Sequence, residues 1–205
     1  MICDTRWWSK DVALSKIFGS FENQQGSLYI DVILSLQNIS EEEKFSSDVR
    51  AKALSYKEAL LKYETIMTAS IYLRIFNITT PLSKYLQTVG IDLLKAHQLV
   101  MGTLDQLLDI QRNCEGVRIN VDKFIDWATD ELENKSPESD IVIQDFFPER
   151  RQRKRSKLRG EGTDKETTFD VYKDYEINVH NRILDNIIES IKARFEKREK
   201  KRDFI

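Results

Sequence analysis

Turn-forming and metal-ligating residues are scarce in this chain of 205 residues, which holds only 7 Gly, 3 Pro, 2 Cys and 2 His. An all-β fold needs many tight turns, and so few Gly and Pro argue against one. Cys3 and Cys114 are far apart and form no disulfide framework, which fits a reducing compartment. Neither they nor His97 and His180 fall at zinc-ligand spacing. No apolar run approaches the roughly 18 residues of a membrane span. The opening MICDTRWWSK lacks the apolar stretch of a signal peptide. The phosphate-loop and dinucleotide-binding glycine motifs are missing as well. The expectations are therefore no membrane, no metal, no cofactor and no small-molecule substrate, in the nucleus or the cytoplasm.

Charge is abundant but balanced: 32 Lys and Arg against 34 Asp and Glu, a net charge of −2. Any contact with a polyanion has to come from a local patch. With so many carboxylates, pairs arise by chance. Metal-assisted chemistry needs several converging on rigid elements, and no such cluster stands out. No catalytic residue is expected.

Hydrophobic spacing is helical throughout. Trp7, Trp8, Val12, Leu14, Ile17 and Phe18 suit a short amphipathic helix with Ser9 as its cap, broken at Gly19. An apolar stretch follows from Leu28 to Leu36. Residues 47–77 hold no Gly or Pro and predict one long helix, with Thr79-Thr80-Pro81 as a stop and restart. Leu82, Leu86, Val89, Leu93, Ala96, Val100, Leu104 and Leu107 then recur at steps of 3 and 4. That seam reads either as the intramolecular core against residues 47–77 or as the seam of a homodimer. After a break at Asn113 to Gly116, a shorter helix contains Phe124, Ile125, Ala128 and Leu132. From Ser139 to about Thr167 periodicity is lost. A last helix starts near Thr167 or Thr168, with Val171, Tyr172, Tyr175, Val179, Ile183, Ile187, Ile191 and Phe195 as its apolar face. The expected fold is all-α: an elongated bundle centred on an antiparallel hairpin of residues 47–77 and 80–111. Residues 1–138 form its main part, 139–167 a basic linker, and 168–205 a helix packed on the same domain.

Two constellations are candidates for binding. Arg150, Arg151, Arg153, Lys154, Arg155, Lys157 and Arg159 concentrate seven cations in ten residues. Such a run contacts DNA phosphates, serves as a nuclear-import signal, or is merely a solvated loop. Arg6 with Trp7 and Trp8 either stacks on a base and grips a phosphate, or fastens the first helix to the hairpin.

Three stretches in order resemble one family. CDTRWWSKDVAL (Cys3 to Leu14), NITTPLSKYLQTVGIDLLKA (Asn77 to Ala96) and the segment from Tyr172 to Phe195 are similar to parts of hAT-family transposases and their domesticated relatives, the zinc finger MYM-type group among them. In that family a helical insertion interrupts an RNase H-like core bearing a catalytic acidic triad. The resemblance implies that this chain matches the insertion, lying between the second and third acids, and that it is a non-catalytic scaffold for DNA or another nuclear protein. Thr5, Arg6 and Trp7 match the family's TRW segment, whose tryptophan is placed near the DNA end or at the junction of core and insertion.

Overall fold

The computed structural model describes the backbone of residues 4–24, 26–148 and 170–202, and the side chains of residues 9–24, 26–148 and 170–195. Among these residues the fold is all-α, with no strand. The elements are α1 (Asp4–Phe18), α2 (Tyr29–Glu41), α3 (Ser47–Leu60), α4 (Tyr63–Leu86), α5 (Leu93–Gln111), α6 (Cys114–Lys135), α7 (Val171–Tyr175) and α8 (Arg182–Arg202). A π-helical turn, Glu176–Asn181, joins α7 to α8 without a break.

The core is organised around α4. Ile66, Met67, Ala69, Ser70, Ile71, Leu73, Ile75 and Phe76 are all buried, so the helix is covered on nearly every side. That is the pattern of a central helix, and α1, α5 and α6 lie against it. Phe18, Tyr29 and Phe124 bring α1, α2 and α6 together in an aromatic trio with centroids 5.1–5.7 Å apart. Asn120 on α6 donates to the Phe21 carbonyl at 2.6 Å, tying the α1–α2 turn to the same corner.

Several boundaries differ from those expected. The first helix begins at Asp4, so Ser9 lies inside it and is not its cap. The helix predicted over 47–77 is two helices, broken at Leu61 and Lys62, where the backbone turns extended (φ −74°, ψ 133°). The carbonyls at the break are taken up by distant partners: Tyr29 Oη donates to Leu60 O at 2.8 Å, and the Gln144 N–H donates to Leu61 O at 3.0 Å. Conversely, Thr79-Thr80-Pro81 is not a stop, and Pro81 sits inside α4. An interior proline costs about 3 kcal/mol. Offsetting it, Leu82 is buried, and Thr80 Oγ1 donates across to Asp11 Oδ2 of α1 at 2.7 Å.

The antiparallel hairpin therefore pairs α4 with α5, and α5 also packs on α8. Gly90 turns the chain at φ 76°, and Asp92 caps α5 by accepting from the N–H groups of Leu94 and Lys95 at 2.8 and 3.3 Å. Of the expected seam, Leu82, Ala96, Val100, Leu104 and Leu107 are buried, which makes it intramolecular there; Val89 and Leu93 are 103% and 57% exposed.

In the stretch expected to be a linker, residues 140–148 are irregular but anchored, with Ile143 and Phe147 buried in the core. Residues 149–169 lie outside the described ones. The last helix begins at Val171, where Asp170 accepts from the N–H groups of Tyr172 and Lys173 at 2.9 and 3.3 Å. Its most buried residues are Tyr175, His180, Leu184 and Ile188. Val179, Ile183, Ile187, Ile191 and Phe195 are half-buried beside them.

Candidate functional site

Two helix beginnings converge on one cleft. The first is α6, where Asn113 Oδ1 accepts from the Gly116 N–H at 2.8 Å. Arg74 Nη1 of α4 donates to the Asn113 carbonyl at 3.2 Å and fixes that cap to the central helix. The second is α7, capped by Asp170. An aromatic clasp holds it down: the Phe147 ring lies 4.9 Å from Tyr63, 5.0 Å from Tyr172 and 4.9 Å from Tyr175. Tyr175 Oη lies 2.7 Å from Thr68 Oγ1 of α4.

Between the two caps is a cavity of about 280 Å³, with Met67 as its apolar lining. Arg112, Arg118 and Lys173 bring positive charge to it; Glu115, Asp170 and Glu176 bring negative charge. The acids are partly committed. Asp170 is the α7 cap, and Glu115 pairs with Arg118 at 3.5 Å. The Arg118 guanidinium lies over the Tyr172 ring, 4.8 Å from its centroid. Arg112 and Lys173 have no ionic partner among the described residues. Cys114 also lines the cleft. Burial, reinforced by Glu176 and Glu115, pushes its thiol up to about 11, so at neutral pH it is a thiol and a poor nucleophile. Glu115, Asp170 and Glu176 balance the three cations of the lining, while the guanidinium stacked on a flat ring offers a place for a planar group.

The seven cations Arg150, Arg151, Arg153, Lys154, Arg155, Lys157 and Arg159 lie outside the described residues. Phe147 and Tyr172, which flank that stretch in sequence, are held together by the clasp, and Asp170 and Tyr172 line the cleft. Thr5, Arg6 and Trp7 lie at the start of α1, and their side chains are likewise outside the described set. His97 is exposed on α5, whereas His180 is fully buried, so the two are not brought together. No group of three or more His, Cys, Asp or Glu among the described residues could hold a metal ion, and no described helix is long and apolar enough to cross a membrane.

Arg112, Arg118 and Lys173 were not legible as a set in the sequence. The one local signal was basic residues flanking the Asn113–Gly116 break; what joins them to Lys173 is tertiary packing. Comparison of the chain with family models, with curated proteins and with solved structures finds no match.

Proposed function

We propose that this chain is a non-catalytic helical scaffold that contacts nucleic acid through the basic run and the adjoining cleft. Its context is a nuclear protein of transposase-like origin. The observation that carries this reading is the clasp of Phe147 on Tyr172. It anchors both ends of the segment bearing Arg150–Arg159 next to Arg112, Arg118 and Lys173. Beside a cleft whose own three cations and three carboxylates balance, seven added cations would give that side of the molecule a net positive charge, and attraction to a polyanion grows with the number of phosphates neutralised together. The resemblance of the TRW segment and the two later stretches to hAT transposases supports the transposase-like origin. In that family the acidic triad lies outside the matching region, which is why no catalysis is assigned to this chain.

A second reading is a protein-interaction adaptor. Leu94 and Met101, two turns apart on α5, are 69% and 48% exposed and favour it.

Gel-shift titrations at low and high salt separate the two. On the nucleic-acid reading the chain binds DNA at low salt, binding weakens steeply as salt rises, and changing the seven cations to Ala removes most of both effects. Arg112→Ala with Lys173→Ala weakens binding further. A chain that fails to bind at low salt, with all cations intact, leaves the adaptor reading alone.

A further inference from the structure

The π turn before α8 gives the last helix a choice of two registers. One extra residue in a helical turn sets everything after it back by about 100°. Without it, the residues that follow Tyr175 on its own face are Val179, Ile183 and Ile187, at steps of four. With it, they are His180, Leu184 and Ile188, and these three are the ones buried, while the first trio is half-buried alongside. Each member of one trio directly precedes a member of the other in sequence, so both can fill the same three core places.

Moving the π turn past Ile187 rotates only the stretch between its two positions. Ile191 and Phe195 keep their phase, as do Tyr172 and Tyr175. The N-terminal side is the wrong one to turn: one residue of slip there would offer Lys173 and Glu176 to the places of Tyr172 and Tyr175, which the Phe147 clasp holds.

His180 makes the choice sensitive to protonation. Its ring is 0% exposed. Nδ1 lies 3.0 Å from Asn181 Oδ1, so the neutral ring carries its proton there, and the buried Nε2 has no partner among the described residues. A second proton would put a charge and an unsatisfied N–H into the core, which is strongly unfavourable. Burial lowers the ring's proton affinity. Arg74 from α4 opposes protonation, while Asn181 and Glu176 on the same helical run favour it. Cys114 is the titratable group that α6 brings into reach of both Arg74 and Glu176. When neutral, the imidazole fills its place more fully than the smaller Val179 would, which favours the register seen.

We propose that the last helix is a proton-controlled register device: when His180 is protonated, the π turn moves toward the C-terminus and Val179, Ile183 and Ile187 replace His180, Leu184 and Ile188 in the core. The rotating stretch starts at Glu176, which lines the cleft, and it contains Asp185, which accepts from Gln111 Nε2 of α5 at 2.6 Å. The change therefore breaks a link to α5 and re-aims one wall of the cleft.

Methyl-resolved NMR of the full chain with a soluble paramagnetic agent reads this directly. At about pH 7.5 the methyls of Leu184 and Ile188 are shielded and those of Ile183 and Ile187 broadened; as pH falls below the ordinary imidazole range, with the midpoint displaced downward by burial of the ring, the order reverses while Ile66 and Ile71 stay shielded. His180→Leu keeps the neutral pattern throughout. Ile183→Lys, which leaves His180 in place but penalises the second register, also abolishes the reversal. Three outcomes overturn the proposal: Leu184 and Ile188 stay shielded at every pH at which the body remains folded; every core methyl, Ile66 and Ile71 included, loses shielding together; or either variant still shows the reversal.

Discussion

Gly19 and Gly90 share a left-handed backbone, with φ of 80° and 76°, but they tolerate a side chain very differently. At Gly90 an added Cβ would meet nothing within 4 Å. At Gly19 it would sit 2.8 Å from the Asn23 carbonyl and 2.9 Å from Gln24 Cα, both backbone atoms of the turn it begins. Gly90→Ala should therefore cost only the conformational penalty, about 1 kcal/mol. Gly19→Ala should cost more than about 2 kcal/mol, because the turn itself has to move. Urea unfolding of the two variants side by side tests the ranking; equal losses would show that the α1–α2 turn yields freely. His180 is a similar case of local chemistry set by surroundings. Its position in the sequence gives no sign that one ring nitrogen ends up buried without a partner.

At the scale of elements, the break between α3 and α4 shows where local reasoning stops. Residues 47–77 contain neither Gly nor Pro, and propensity alone continues the helix. What interrupts it is the Tyr29 hydroxyl and the Gln144 N–H taking the Leu60 and Leu61 carbonyls. Those partners are dozens of residues away, so no window of sequence contains the cause. Tyr29→Phe keeps the ring in the trio with Phe18 and Phe124 and removes only the hydrogen bond. The expected loss is about 1–2 kcal/mol in urea unfolding, the range for a buried acceptor left without its donor; no loss would mean the break is set by packing alone. The opposite error at Thr79-Thr80-Pro81 has the same origin, since the α1 contact through Asp11 is invisible locally. Other features were readable. The Gly19 break, the break at Asn113 to Gly116, the helical core face of α6 and the buried half of the α5 seam all follow from short-range patterns. The insertion in the π turn was not, because Val179, Ile183 and Ile187 make an equally apolar face at ordinary helical spacing.

For the whole molecule, Phe147 is the residue on which α4 and α7 meet. It comes from a stretch with no periodicity, and it packs on Tyr63 of α4 and on Tyr172 and Tyr175 of α7. Phe147→Ala should lower global stability by about 3–5 kcal/mol, the usual range for emptying a buried aromatic place. A denaturation midpoint unchanged from wild type would mean that α7 is held elsewhere. The cleft depends on the same contact, which explains why it could not be found from sequence: Arg112 and Arg118 belong to one end of the bundle and Lys173 to a helix more than fifty positions later.

The clasp also means that the described residues on either side of 149–169 are held together by the folded body itself. The entropic cost of a ring rises only with the logarithm of its length, about 0.6 kcal/mol for each doubling. A reporter domain or a new set of chain ends placed within that segment should then leave the helical body nearly as stable as before. In evolutionary terms, the same arithmetic makes a change of length between two such anchored points inexpensive to the fold.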